Sequence, residues 1–278
     1  MSVLISAGDV NKLRQITGAG MMDCKKALTE TNGDFDAAID YLRKKGQKVS
    51  EKRADRETKE GVVMATVSND GSYGTIFGLG CETDFVAKNE DYIKFVKSIS
   101  NVAMENKAAD KNALLALPLD GGTVAEKIEE QVGKIGEKIE ITDYAILTGE
   151  TIVAYNHSNG KVGVLISLNK KGDAIVATGK DLTMQIAAMA PVGIDKNDVP
   201  EEVKNRELEI GREQAKAEGK PEAILEKIAM GKLEAYYQDA TLLNQKFVKD
   251  NSKTIRDLLT SVDKELSVIA FKRISIGE

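Results

Sequence analysis

Histidine is almost missing from this chain. One occurs in 278 residues, which all but excludes His–Asp relays and His-rich metal sites. Cysteine is nearly as scarce: Cys24 and Cys81 lie too far apart for metal-ligand spacing and read as reduced core thiols. No apolar run approaches the ~20 residues that span a bilayer. Residues 1–6 lack both the basic start and the long apolar stretch of a secretory leader. A Walker sequence is also lacking: Gly172 and Gly179-Lys180 are wrongly spaced, and Asp181 stands where Ser or Thr is required. Gly18-Ala19-Gly20 has no third glycine and no preceding strand, so it is not a dinucleotide fingerprint. The net charge of −5, from 39 basic and 44 acidic side chains, argues against binding driven by nucleic-acid phosphates. What remains is a soluble, cytoplasmic chain with no cofactor, metal, membrane or direct nucleic-acid partner expected, leaning towards binding rather than catalysis.

What is present is ordinary globular material, 42% hydrophobic and 30% charged, long enough for one large or two to three small domains. Residues 9–45 read as three short helices. Val10, Leu13, Arg14 and Ile16 lie on the first, which Thr17-Gly18 ends through a glycine cap. Met22, Lys25, Ala27 and Leu28 recur at helical spacing on the second. Asp34 can cap the third, with Phe35, Ala38, Ile39 and Leu42 as its apolar stripe. Met21 and Met22 are adjacent, so one is expected to face the core and the other out, where a flexible Met makes an adaptable contact; burial of both is the alternative. Residues 43–59 carry eight basic side chains against three acidic ones and no aromatics for base stacking, and read as a solvated helical linker.

From Gly61 the pattern becomes strand, turn, strand, helix. Residues 62–67 and 73–81 flank the hairpin turn Asn69-Asp70-Gly71. The pattern recurs with strands at 151–157 and 161–168 around Ser158-Asn159-Gly160, then a helix through Leu182, Ile186 and Met189. This internal repeat of about ninety residues implies two related α+β subdomains, each with a helix covering one sheet face. Between them, a helix around 124–132 is followed by 134–141 leading into a strand. Residues 201–217 and 221–237 read as an antiparallel helical hairpin inserted in the second subdomain, with Val203, Ile210 and Ala217 repeating at seven and Ile224, Leu225 and Ile228 facing them. Such an arm is a candidate surface for a homodimer or other interaction, or else lies on the core. The tail gives a last helix and strand. The division is 1–54, 55–148 and 149–278, with the hairpin at 199–238.

The two copies differ at the passage from second strand to helix. The first crosses through Glu82-Thr83-Asp84-Phe85, an aromatic ring beside a carboxylate, with Asn89 or Asp91 available to cap the helix that follows. The second crosses through Asn169-Lys170-Lys171-Gly172-Asp173, an ordinary polar loop. Were Phe85 a plug required by the fold, the second copy should carry an apolar equivalent. It carries none, so the ring reads as specific to the first copy's task, whereas the plain alternative folds it back into its own core.

Thr83-Asp84-Phe85-Val86-Ala87-Lys88-Asn89 resembles a signature of the elongation factor Ts family, guanine nucleotide exchange factors for elongation factor Tu. Leu13 to Leu28, with Thr17-Gly18-Ala19-Gly20-Met21-Met22-Asp23-Cys24-Lys25-Lys26 inside it, resembles a second signature of that family, and the three helices resemble a ubiquitin-associated domain. The resemblance covers nearly the whole chain. It implies that Asp84 and Phe85, flanked by Thr83 and Val86, enter beside the magnesium and nucleotide site of GDP-bound elongation factor Tu so that GDP leaves. It implies further partner contacts at Arg14, Met21, Met22, Lys25, Ile135 and His157, and no chemical catalysis. Two departures stand out: Lys246 occupies a position where the family usually has proline, and the chain stops at Glu278 without the further C-terminal helix of some members. A polypeptide-binding adaptor built on the helical bundle is the competing reading. An enzyme ranks third, given the lone His and the absence of clustered catalytic groups.

Overall fold

The computed structural model describes residues 4–278; residues 1–3, part of the stretch read above for a leader, lie outside the described residues. Ser6 opens helix α1 (Ala7–Thr17) in a capping box with Asp9, and Gly18 closes it in the left-handed region at φ 67°. After α2 (Met21–Glu30), Asp34 caps α3 (Phe35–Lys52) by accepting from the Ala37 N–H. Val10, Leu13, Cys24, Ala27, Leu28 and Ala38 form the shared core of this bundle. The third helix is longer than its apolar stripe suggests. It runs on to Lys52 and absorbs most of the basic segment expected to be a separate linker.

The first repeat comprises β1 (Glu60–Val67), β2 (Tyr73–Cys81), a single turn α4 (Asp84–Ala87) and α5 (Glu90–Asn106). Then come α6 (Lys111–Ala116), the small ribbon β3 (Pro118–Leu119) and β4 (Gly122–Thr123), α7 (Val124–Ile135) and β5 (Glu140–Thr148). The second runs β6 (Thr151–Asn156), β7 (Val162–Leu168) and α8 (Asp173–Met189), then an arm of α9 (Glu201–Ala217) and α10 (Glu222–Ala240). It closes with the ribbon β8 (Lys246–Phe247) and β9 (Asp250–Thr254), α11 (Ile255–Val262) and β10 (Val268–Ser275). Both main sheets are antiparallel with the same order: β1-β2-β5 in one, β6-β7-β10 in the other. The fold class is α+β, as expected.

Burial fixes the layering. Strand β2 is buried along its whole length. Its Phe77 and Leu79 pack with Val96 and Ile99 of α5 and Val132 of α7, while Ile76 packs with Ile152, Leu165 and Ile274 of the other sheet. In β7, Val164, Ile166 and Leu168 meet Leu182 and Ile186 of α8 and Leu259 of α11, and Leu165 turns the other way. The two sheets therefore lie face to face with helices outside both. A Cβ on Gly163 would fall 2.6 Å from Val63 Cγ1, and one on Gly74 2.9 Å from Ile152 Cγ2, so glycine sets how closely the sheets approach. The edge of β1 is covered by the second repeat: the Val63 N–H donates to Gly160 O at 2.7 Å, and the Asn156 amide bonds Ala65 N and O at 2.8 and 2.9 Å.

Two local expectations need correction. The arm's seam is built from Gly211, Ala215, Ala229, Leu233 and Tyr237, whereas Ile210 and Ile224 remain 38% and 40% exposed and Ala217 is exposed. A Cβ on Gly211 would sit 3.0 Å from Ala229 Cα: small residues allow a close crossing, so beyond the half-buried Val203 the seam follows Gly211 and Ala215 rather than the heptad, while Leu225 and Ile228 are half-buried opposite. Helix α7 extends to Ile135 with Gly136 as its left-handed cap, so strand β5 begins only at Glu140. No described helix is long and apolar enough to cross a membrane.

Candidate partner-binding site

After Cys81 the chain leaves the sheet, passes through an extended Thr83 and makes the four-residue turn α4. An isolated helix of this length has no stability of its own, so its neighbours must hold it. Ala87 is buried and Val86 half-buried against the first core, which directs Asp84 and Phe85 outward. Phe85 is 84% exposed. Asn89, one of the two expected caps, accepts from the Asp91 and Tyr92 N–H groups at 2.8 and 3.3 Å to start α5, and the buried Tyr92 hydroxyl donates to Leu79 O at 2.8 Å. Lys88 Nζ lies 2.6 Å from Asp84 Oδ2. That ammonium holds the Asp84 carboxyl below the usual carboxylate range, and Asp84 in turn raises Lys88. The tip thus presents an ionised carboxylate beside a bare aromatic ring.

Two glutamates fix the base of the tip. Glu137, just past the α7 cap, accepts from the Glu82 and Thr83 N–H groups at 3.1 and 3.0 Å and from the Thr83 hydroxyl at 2.7 Å. Glu82 answers by accepting from the Lys138 N–H and from the Arg53 guanidinium, both at 2.6 Å. Burial opposes ionisation of Glu82, but these two donors outweigh it and its pKa lies below the ordinary value. Arg53 caps α3, so the helical bundle reaches the same clasp. Beneath the tip, the Cys81 thiol touches Thr83 O at 3.2 Å.

The other expected contacts fall in three places. Arg14, Met21, Met22 and Lys25 are all exposed around the corner between α1 and α2, together with Ile16 at 57%. Neither Met faces the core, contrary to the adjacency argument. They occupy the first turn of α2, before the inward positions Cys24, Ala27 and Leu28 begin. Ile135 is half-buried in the last turn of α7, between Lys134, whose side chain lies against Gly18 of the α1–α2 corner, and Glu137 of the clasp. The end of α7 therefore joins the bundle's corner to the tip. His157 is exposed, its Nδ1 2.8 Å from the Tyr155 hydroxyl. The adjoining turn residues 158–160 share a groove of about 410 Å³ with Asp84 and Lys88. Among the described residues no group of His, Cys, Asp or Glu gathers as a metal site.

Comparison with known proteins meets this geometry at the tip. The family model described as elongation factor TS matches residues 82–278. The chain belongs to the elongation factor Ts family. It is 57% identical to the elongation factor Ts of Cytophaga hutchinsonii over 98% of this chain and 99% of that one. Identity is 50% with that of Amoebophilus asiaticus, over 98% and 99%, and 44% with that of Porphyromonas gingivalis, over 98% of each. Membership makes the chain a translation elongation factor.

Within this member of the elongation factor Ts family, sequence reasoning misses the clasp. Glu137 lies 54 residues from Thr83, in a polar stretch after a helix. Glu82 and Arg53 look like surface charge. Nothing in their spacing announces that they meet; only the β2–β5 pairing, which puts Gly80 opposite Glu140, brings the two strand ends together.

Proposed function

We propose that this chain binds elongation factor Tu in its GDP form and promotes GDP release by inserting Asp84 and Phe85 beside the magnesium and nucleotide site. The observation carrying this reading is the exposure of Phe85 on a turn whose base is held from two sides. An exposed ring gains nothing in water, whereas burial in a partner contributes about 1.5–3 kcal/mol. Coupling between two ligands of one protein is typically about 1–3 kcal/mol, so one ring is of the right size to oppose GDP. The ionised Asp84 carboxylate, freed from Lys88, is suited to disturb a bound cation. Thr83 and Val86 set the approach, and Arg14, Met21, Met22 and Lys25, with Ile135 and His157, supply further contacts. The exposed Met pair and Ile16 support an apolar docking patch on the helical bundle. No bond is made or broken, so the activity is exchange rather than enzymatic chemistry, carried out in the cytoplasm without direct contact to nucleic acid. Domain limits at 54/55 and 148/149 are part of this proposal, as is a homodimer through the arm, whose Ile210, Ile224 and Met230 are exposed.

The test is release of fluorescently labelled GDP from elongation factor Tu. The unaltered chain is expected to accelerate it strongly, and Phe85→Ala to lose most of that acceleration. Equal rates for the two proteins would defeat the reading.

A further inference from the structure

We propose that Glu137 is a positioning residue for exchange: its carboxylate sets the direction in which the turn bearing Asp84 and Phe85 projects. This rests on the reading of the tip given above.

The tip has few other restraints. Helix α4 is a single turn, and its N-cap Thr83 makes no side-chain cap bond to it; the Thr83 hydroxyl donates to Glu137 instead. Glu137 takes three donors from the two residues that lead into the turn, the Glu82 and Thr83 amides and the Thr83 hydroxyl. Deleting that acceptor frees two backbone N–H groups at the point where the chain turns out of the sheet. The downstream side stays anchored by Val86, Ala87 and the Asn89 cap. The turn can then pivot on its downstream end, and the outward residues Asp84 and Phe85 move farthest. The Glu82 bonds to Lys138 N and Arg53 remain and keep the two strand ends together, so the loss is one of aim rather than of fold. A misaimed wedge loses coupling to the bound nucleotide, and coupling between two ligands of one protein is typically worth roughly 5–150-fold.

Four variants separate position from folding and from charge. Labelled-GDP release is measured over a range of factor concentrations for Glu137→Ala, Glu137→Gln, Phe85→Ala and the double variant Glu137→Ala with Phe85→Ala. Glu137→Ala is expected to lower the maximal release rate by about tenfold, within that coupling range, with the half-saturating concentration little changed. Glu137→Gln should recover most of the rate, since its carbonyl oxygen accepts from both amides and its NH2 donates to the Thr83 hydroxyl. The double variant should fall only slightly below Phe85→Ala alone, since only Asp84 is left to misaim. In the free protein, hydrogen exchange at the Glu82 and Thr83 amides should quicken in Glu137→Ala while β2 stays protected. A full rate in Glu137→Ala beside an impaired Phe85→Ala overturns this proposal alone. A full rate in Phe85→Ala overturns the tip reading and this proposal with it. Failure of Glu137→Gln to rescue, additive losses in the double variant, or lost protection throughout β2 would each assign Glu137 a charge or folding role instead.

Discussion

Phe85 has almost no burial to lose within its own chain, so its removal should separate function from stability. Surface substitutions change stability by about 0.5 kcal/mol or less, and each kcal/mol moves the melting temperature by about 2–4 °C at this size. Phe85→Ala is therefore expected to melt within about 2 °C of the parent by circular dichroism while failing in exchange; a larger drop would mean the ring packs inward. Cys81, beneath the tip, behaves oppositely. Burial pushes its thiol from 9.0 up to about 11. Between those values the unfolded chain has released the proton and the folded one still holds it, so folding stability falls as pH rises from 9 towards 11. The difference in stability between the parent and Cys81→Ala should shrink across that window in denaturant titrations, and a constant difference would refute the shift. The exposed ring was readable because the second copy offered an internal control with no aromatic in the same place. The Met pair was not, because successive positions of a helix lie only about 100° apart, so both can miss the core face that Cys24, Ala27 and Leu28 define.

Helix α7 carries more of the architecture than its amphipathic pattern suggests. It covers the first sheet with Val124, Ile128 and Val132, meets the helical bundle at Gly133, and ends beside the clasp. A Cβ on Gly133 would lie 2.8 Å from Gly46 Cα of α3, closer than real contacts allow. In an isolated helix Gly→Leu gains up to about 1 kcal/mol of propensity, whereas overpacking a tight contact costs about 1–3 kcal/mol. Gly133→Leu is thus expected to loosen the bundle from the body despite strengthening α7. The check is limited proteolysis between residues 53 and 59, which should speed up while fragments of the α+β body persist; an unchanged cutting rate would show that the crossing tolerates the side chain. Helix starts and stops were legible wherever a cap was a local event, as at Gly18 and Asp34, and were narrowed to Asn89 or Asp91 for α5. The arm's seam was not, because Gly211 against Ala229 is a contact between helices, and a heptad count along one helix is blind to how close the other comes.

The two sheets share one strand order and lie face to face, so the repeat is also a packing arrangement. It explains why β2 and β7 are apolar on both faces, a feature the strand pattern carried without revealing what covered the second face. It also gives the first copy's tip and the second copy's turn a common setting. Asp84 and residues 158–160 line one groove only because β1 is held to that turn by Asn156 and Gly160. Gly163, between the sheets, controls this register, since a side chain there meets Val63 at once. Gly163→Leu should force the sheets apart and cost about 1–3 kcal/mol as overpacking, lowering the melting temperature by roughly 2–12 °C at 2–4 °C per kcal/mol. If the His157 turn and the tip act on one partner together, the same variant, assayed well below its melting point, should raise the half-saturating concentration for GDP release. A lowered melting temperature with unaltered exchange would mean that the first repeat engages its partner without the second, and the contact assigned to His157 would have to be withdrawn.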